Sequence, residues 1–120
     1  MTPTDLEDLF APFAPVTCKR MFSGHGVYVG TACLAIVAGG QIWLKADPAM
    51  EPALEAAGCR PFSMTAKDGT VKAMRAFWSL PDAALDDPEE LIRWCRPALA
   101  AAQRSAAEKA AALGRARARA

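Results

Sequence analysis

Apolar residues recur near the start of the chain as Leu6, Leu9, Phe10 and Phe13, the spacing that lines one face of a helix. Thr4 with Glu7 three residues later reads as a capping box, and Pro12 and Pro15 close the helix because each lacks a backbone donor. From Thr17 to Lys45 the period changes to that of strands. The plainest signal is Leu34-Ala35-Ile36-Val37-Ala38, then Gly39-Gly40, then Gln41-Ile42-Trp43-Leu44-Lys45. Gly-Gly between two β-prone runs predicts a two-residue hairpin, since mirror-image turns need φ > 0. That turn pairs Ala38 with Gln41, Val37 with Ile42, Ile36 with Trp43 and Ala35 with Leu44. Alternation then puts Ala35, Val37, Ile42 and Leu44 on one face and Leu34, Ile36 and Trp43 on the other. With both faces apolar and few helices to cover them, a second molecule is expected on one face, and a homodimer is the expected form.

Asp47-Pro48 opens a second helix as N-cap and first-position proline, with Pro52 delaying it and Gly58 stopping it. Phe62, Met64 and Ala66 alternate with polar residues as a half-buried strand does, Lys67-Asp68-Gly69-Thr70 supplies a turn, and Val71 to Leu80 forms a further strand. Asp87-Pro88-Glu89-Glu90 begins the best-marked helix, whose apolar stripe is Leu91, Cys95, Ala98, Leu99 and Ala102, with a bend expected at Pro97. Residues 1–102 therefore read as one domain. Residues 103–120 read as an Ala/Arg-rich extension, helical to Gly114 and frayed beyond.

Composition narrows the function classes. The 120 residues hold 14 Lys+Arg against 13 Asp+Glu, which excludes a globally basic nucleic-acid binder and an acidic solvating chain. The small surplus is uneven: Arg104, Lys109, Arg115, Arg117 and Arg119 stand in the last segment against Glu108 alone. Four widely spaced cysteines without a close pair, and an acidic start without an apolar leader, predict a reducing cytoplasm. Met21 to Leu44 carries no formal charge, but its glycines and polar residues divide it into strands and turns, so no membrane span is expected.

Candidate chemistry is sparse. His25, flanked by Gly24 and Gly26, is the only histidine, and a catalytic reading pairs it with Cys18 or Cys33 as base and nucleophile; no orienting third residue or oxyanion motif accompanies it, so a local backbone contact at a glycine turn is the expected role. Zinc ligation by Cys18, His25, Cys33 and Cys59 would need ligands in close pairs, which the sequence lacks. Asp82, Asp86, Asp87, Glu89 and Glu90 are read as helix-capping charge in preference to a metal cluster. No catalytic, metal or cofactor residue is assigned, and a non-enzymatic protein is expected. Arg115, Arg117 and Arg119 are candidate phosphate contacts, giving at most weak, salt-sensitive nucleic-acid binding.

Four motifs in order carry a resemblance. Arg20-Met21-Phe22-Ser23-Gly24-His25-Gly26-Val27-Tyr28, Ile42-Trp43-Leu44-Lys45-Ala46-Asp47, Glu55-Ala56-Ala57-Gly58-Cys59-Arg60-Pro61-Phe62 and the run from Leu80 to Leu91 resemble segments of the TfoX/Sxy N-terminal domain. Ser23 stands where that family usually has glycine, and Pro97 departs from its pattern. The resemblance implies a two-layer α+β fold, an antiparallel five-stranded sheet packed by helices in the order α-β-β-β-α-β-β-α, like that of secretion chaperones. The element reading arrives at the same order. The resemblance also implies regulation of competence genes, in some members with a cyclic-AMP receptor protein, so that protein or RNA polymerase is the partner it suggests. Where the family's full-length regulators append a helical second domain, these residues form a basic tail. The expected function is thus a regulatory protein-interaction module, with Leu34, Ile36, Trp43 and His25 as its candidate surface. A weak nucleic-acid binder and a chaperone-like peptide-binding dimer are the alternatives.

Overall fold

The computed structural model describes residues 1–21 and 24–119. Helix α1 (Pro3–Phe10) is followed by strands β1 (Thr17–Met21), β2 (Gly24–Val29), β3 (Ala32–Ala38) and β4 (Gln41–Lys45). A 3-10 turn (Pro48–Met50) leads into α2 (Glu51–Ala56), then β5 (Pro61–Thr65), β6 (Val71–Ser79), α3 (Ala83–Asp86) and α4 (Pro88–Arg119). All pairings are antiparallel, and the sheet runs β1-β2-β3-β4-β6-β5.

The α+β class and antiparallel sheet agree with expectation, but the sheet has six strands, not five, and four of them precede the second helix. The extra strand comes from the glycines around His25. Gly24 and Gly26 lie within β2 because their neighbours leave no room for a Cβ: one at Gly24 would overlap the Val37 carbonyl, and one at Gly26 would sit 2.8 Å from the Met21 sulfur. Gly24 admits the close approach of the β3 backbone, and Gly26 the packing of the Tyr28 and Met21 side chains. Phe22 and Ser23, part of the motif quoted above, lie outside the described residues.

The Gly39-Gly40 hairpin has the anticipated register, from Ala38 opposite Gln41 to Ala35 opposite Leu44, with φ of 60° and 73° at the two glycines. Helix α1 starts earlier than its sequence suggests. Thr2, preceding Pro3, caps it: the Thr2 Oγ1 accepts from the Asp5 N–H at 3.1 Å and the Asp5 carboxylate accepts from the Thr2 N–H at 3.0 Å. A first-position proline, pre-set to helical φ, selects this box over Thr4 and Glu7. The Thr2 backbone N–H holds the Asp5 carboxyl below the usual carboxylate range. Asp47 caps the 3-10 turn through the Met50 N–H, and Asp87 accepts from the Glu89 N–H at 3.0 Å.

Helix α4 packs across β3 and β4 through Leu91, Cys95, Ala98, Ala101 and Ala102. The opposing sheet face contributes Val27, Leu34, Ala35, Val37, Ile42, Leu44 and Trp78, and Leu6, Phe10, Met50 and Leu54 fill the margins. Two consecutive β3 residues, Leu34 and Ala35, are both fully buried there. The cause is a register shift between β2 and β3: Val27 faces Ala35 but Tyr28 faces Cys33, leaving Leu34 as the extra residue of a bulge. Strict alternation would have turned Leu34 away from the core. α4 continues unbroken through Pro97, the expected domain boundary and Gly114, and residues 107–119 are exposed. No described helix is long and apolar enough to cross a membrane.

The bulge has a measurable consequence. Leu34→Ala is expected to lower unfolding stability by about 3 kcal/mol, the cost of a cavity in a closed core, and Ile36→Ala by less than about half of that. Equal losses in denaturant titrations would contradict this placement of Leu34.

Candidate interaction groove

Away from α4, the sheet's other face is built from alternate residues. Lys19 and Met21 of β1, Gly26 and Tyr28 of β2, Ile36 of β3 and Trp43 of β4 share it, with the Lys19 ammonium 4.7 Å from the Tyr28 ring centre. The β5–β6 hairpin shapes what lies above it. β4 pairs with β6 only at residues 77–79, so most of the hairpin is a two-stranded ribbon, and such ribbons twist strongly. The ribbon brings Phe62 against Trp43, ring centres 5.0 Å apart and tilted by 60°. The Arg60 guanidinium lies 5.3 Å from the Trp43 ring on its way to the Gln41 Oε1, and the Trp43 Nε1–H donates to the Ala38 carbonyl at 3.3 Å.

Two of the expected surface residues are therefore covered. Trp43 is 7% exposed beneath Phe62, and Leu34 is in the core at 0%. Ile36 and His25 are half-buried and do come together, as part of a groove of about 340 Å³ that also takes Met21, Phe62, Met64 and Met74. Its floor is thus thioether and hydrocarbon, and Met64 is 55% and Met21 37% exposed. The sequence singled out none of the methionines. The alternation of Phe62 and Met64, opposite Met74 and Lys72, was legible, but the crossing of that ribbon over β3 is a tertiary property.

A second depression, of about 440 Å³, lies between the 3-10 turn, β6 and α4. Several of its charges are paired: Arg104 with Asp47, and Arg75 with Glu51 at 2.9 Å, Glu55 lying 3.7 Å away. The hydrogen bond that Arg75 donates to the Glu51 carboxylate raises the guanidinium above its ordinary value. The candidate phosphate contacts do not converge. Arg115 and Arg119 lie one turn apart on the exposed end of α4, while Arg117 faces another way.

The thiols are separated. Cys18 donates to the Pro3 carbonyl at 3.9 Å and Cys33 to the Ala35 carbonyl at 3.4 Å, both weak contacts, and Cys59 stands beside Ser79. Burial raises all four above the ordinary thiol value, Cys95 to about 12. Among the described residues no three His, Cys, Asp or Glu side chains gather closely enough to hold a metal ion.

The architecture is that of a small α+β domain with one sheet face sealed by helices and a groove on the other. The chain belongs to the TfoX N-terminal domain family, whose model matches residues 8–102. A search of curated proteins found no match.

Cys95 gives a pH prediction. Its thiol keeps its proton in the folded chain above the pH where the unfolded chain releases it, so its contribution to stability is complete below the ordinary value of 9.0 and is lost as pH rises toward about 12. Denaturation midpoints should fall more steeply above pH ~9 in the native sequence than in Cys95→Ala. Alkylation at pH ~8 should leave Cys95 unmodified until the chain is unfolded.

Proposed function

We propose that this chain is a non-enzymatic regulator of gene expression, competence genes foremost, and that it acts in the cytoplasm by contact with a protein partner. Family membership supports the regulatory role, since the match spans residues 8–102. The observation that carries the contact mechanism is the exposed apolar groove on the sheet face that α4 leaves free. Exposed apolar surface in a concave site serves recognition. The partner suggested by the family resemblance is a cyclic-AMP receptor protein or RNA polymerase.

Deletion of the gene in its native host tests this reading. Transcripts of competence genes are expected to fall and to recover with a plasmid copy, and the tagged chain is expected to retain the receptor protein or polymerase subunits. Unchanged transcripts on deletion would overturn the proposal.

A further inference from the structure

The strands of this chain carry charge of one sign, whereas α4 mixes both. The six strands carry five basic residues, Lys19, Arg20, Lys45, Lys72 and Arg75, and no acidic one. The carboxylates stand on helices, caps and turns. Around the groove the sorting is just as one-sided. Lys19 lies two residues from Met21 on the same face, Lys72 lies directly opposite Met64, and Arg60 lies over Trp43. Asp68, the acid of the β5–β6 turn, accepts from the Thr70 N–H at 2.9 Å and so is turned onto its own backbone. No carboxylate lines the groove among the described residues.

We infer that the groove binds an acidic peptide segment of a partner protein, anchored by one or two large apolar side chains. The inference rests on the interaction-module reading and adds the chemistry of the partner. A volume of about 340 Å³ is at the small end for a ligand site and takes one or two leucine- or phenylalanine-sized groups. Methionine suits that task because its unbranched, polarizable chain adapts to different apolar shapes. The flanking Lys19 and Lys72 ammonium groups and the Arg60 guanidinium then meet carboxylates on either side of the anchor, which steers encounter and rejects basic segments.

Two other occupants fit less well. A second copy would have to present the same patch to its mate, since a two-fold interface is self-complementary, and that patch offers no carboxylate for Lys19, Lys72 and Arg60 to meet among the described residues. A single-stranded nucleic acid would supply the negative charge but needs open aromatic faces for its bases, and Trp43 is covered by Phe62 and Arg60.

Fluorescence anisotropy tests the proposal with a short labelled peptide of Asp, Glu, Leu and Phe. The controls are the same peptide with Ser for Leu and Phe, and an oligothymidylate of matched length. The full chain is expected to bind the first peptide at least about tenfold more tightly than either control, the equivalent of burying about one large apolar side chain. Met64→Ser, at an exposed position that the fold does not need, is expected to weaken binding several-fold. Lys19→Glu with Lys72→Glu is expected to weaken it further and to flatten its dependence on salt. Absence of binding, equal binding of the serine peptide or the oligonucleotide, or variants that bind like the native chain would each overturn the inference. The two readings fail separately. A chain that restores competence transcripts but binds no acidic peptide loses only the groove assignment, while one that binds the peptide without affecting transcripts loses the regulatory role.

Discussion

The contact of α4 with β3 and β4 is the constraint from which the rest of the molecule follows. The helix brings mostly small groups to it, Cys95, Ala98, Ala101 and Ala102, while the sheet brings the large ones, Leu34, Val37, Ile42, Leu44 and Trp78. Small against large lets the helix axis approach closely and leaves the packing to the sheet side chains, which branch in well-defined rotamers. The same closeness explains why Pro97 is tolerated. A proline in a helix interior costs about 3 kcal/mol, but here its ring is exposed and the buried Cys95 and Ala98 hold the chain on either side. Because one long helix covers the middle of the sheet, α1, α2 and α3 are needed only at its margins, and the opposite face is left to the chain's own ribbon.

Much of this was legible in local chemistry. Gly39-Gly40 fixed the β3–β4 register because only residues that accept φ > 0 make a two-residue turn matching strand twist, and Asp47-Pro48 and Asp87-Pro88 marked helix starts for equally local reasons. Misreadings arose where distant atoms decide. Gly24 and Gly26 look like turn residues until the Val37 carbonyl is found in the place of a Cβ at Gly24 and the Tyr28 and Met21 side chains are found packed against Gly26. Leu34 looks outward-facing until one extra residue on β3 breaks the alternation. The tail differs in kind, since local Ala-rich sequence alone carries the helix past Gly114 to Arg119.

The groove shows the same division. Period two placed Ile36 and Trp43 on one face correctly, and this pairing stands in the structure. What period two does not contain is how far β5 and β6 run beyond their partner strand. With β4 pairing at only three β6 positions, the free ribbon twists over the face, covers Trp43 with Phe62 and sets Met64 and Met74 opposite Ile36. The apolar surface that sequence reasoning assigned to tryptophan is thereby moved to methionine, a more adaptable lining.

The sorting of charge has its origin in how the helices are started. Asp5, Asp47 and Asp87 are bound to backbone N–H groups at helix and turn starts, and Glu51, Glu89 and Glu90 occupy first turns, where the helix dipole favours negative charge. Those demands concentrate acid on the helical layer. The strands need no such caps, and the basic residues that keep their edges soluble meet no carboxylate on the same strands. A net charge of +1 therefore conceals strands that carry basic residues alone and helices that carry most of the acid alongside the basic residues of α4. The strands that floor the groove thus carry basic residues only, because the carboxylates are engaged at helix and turn starts.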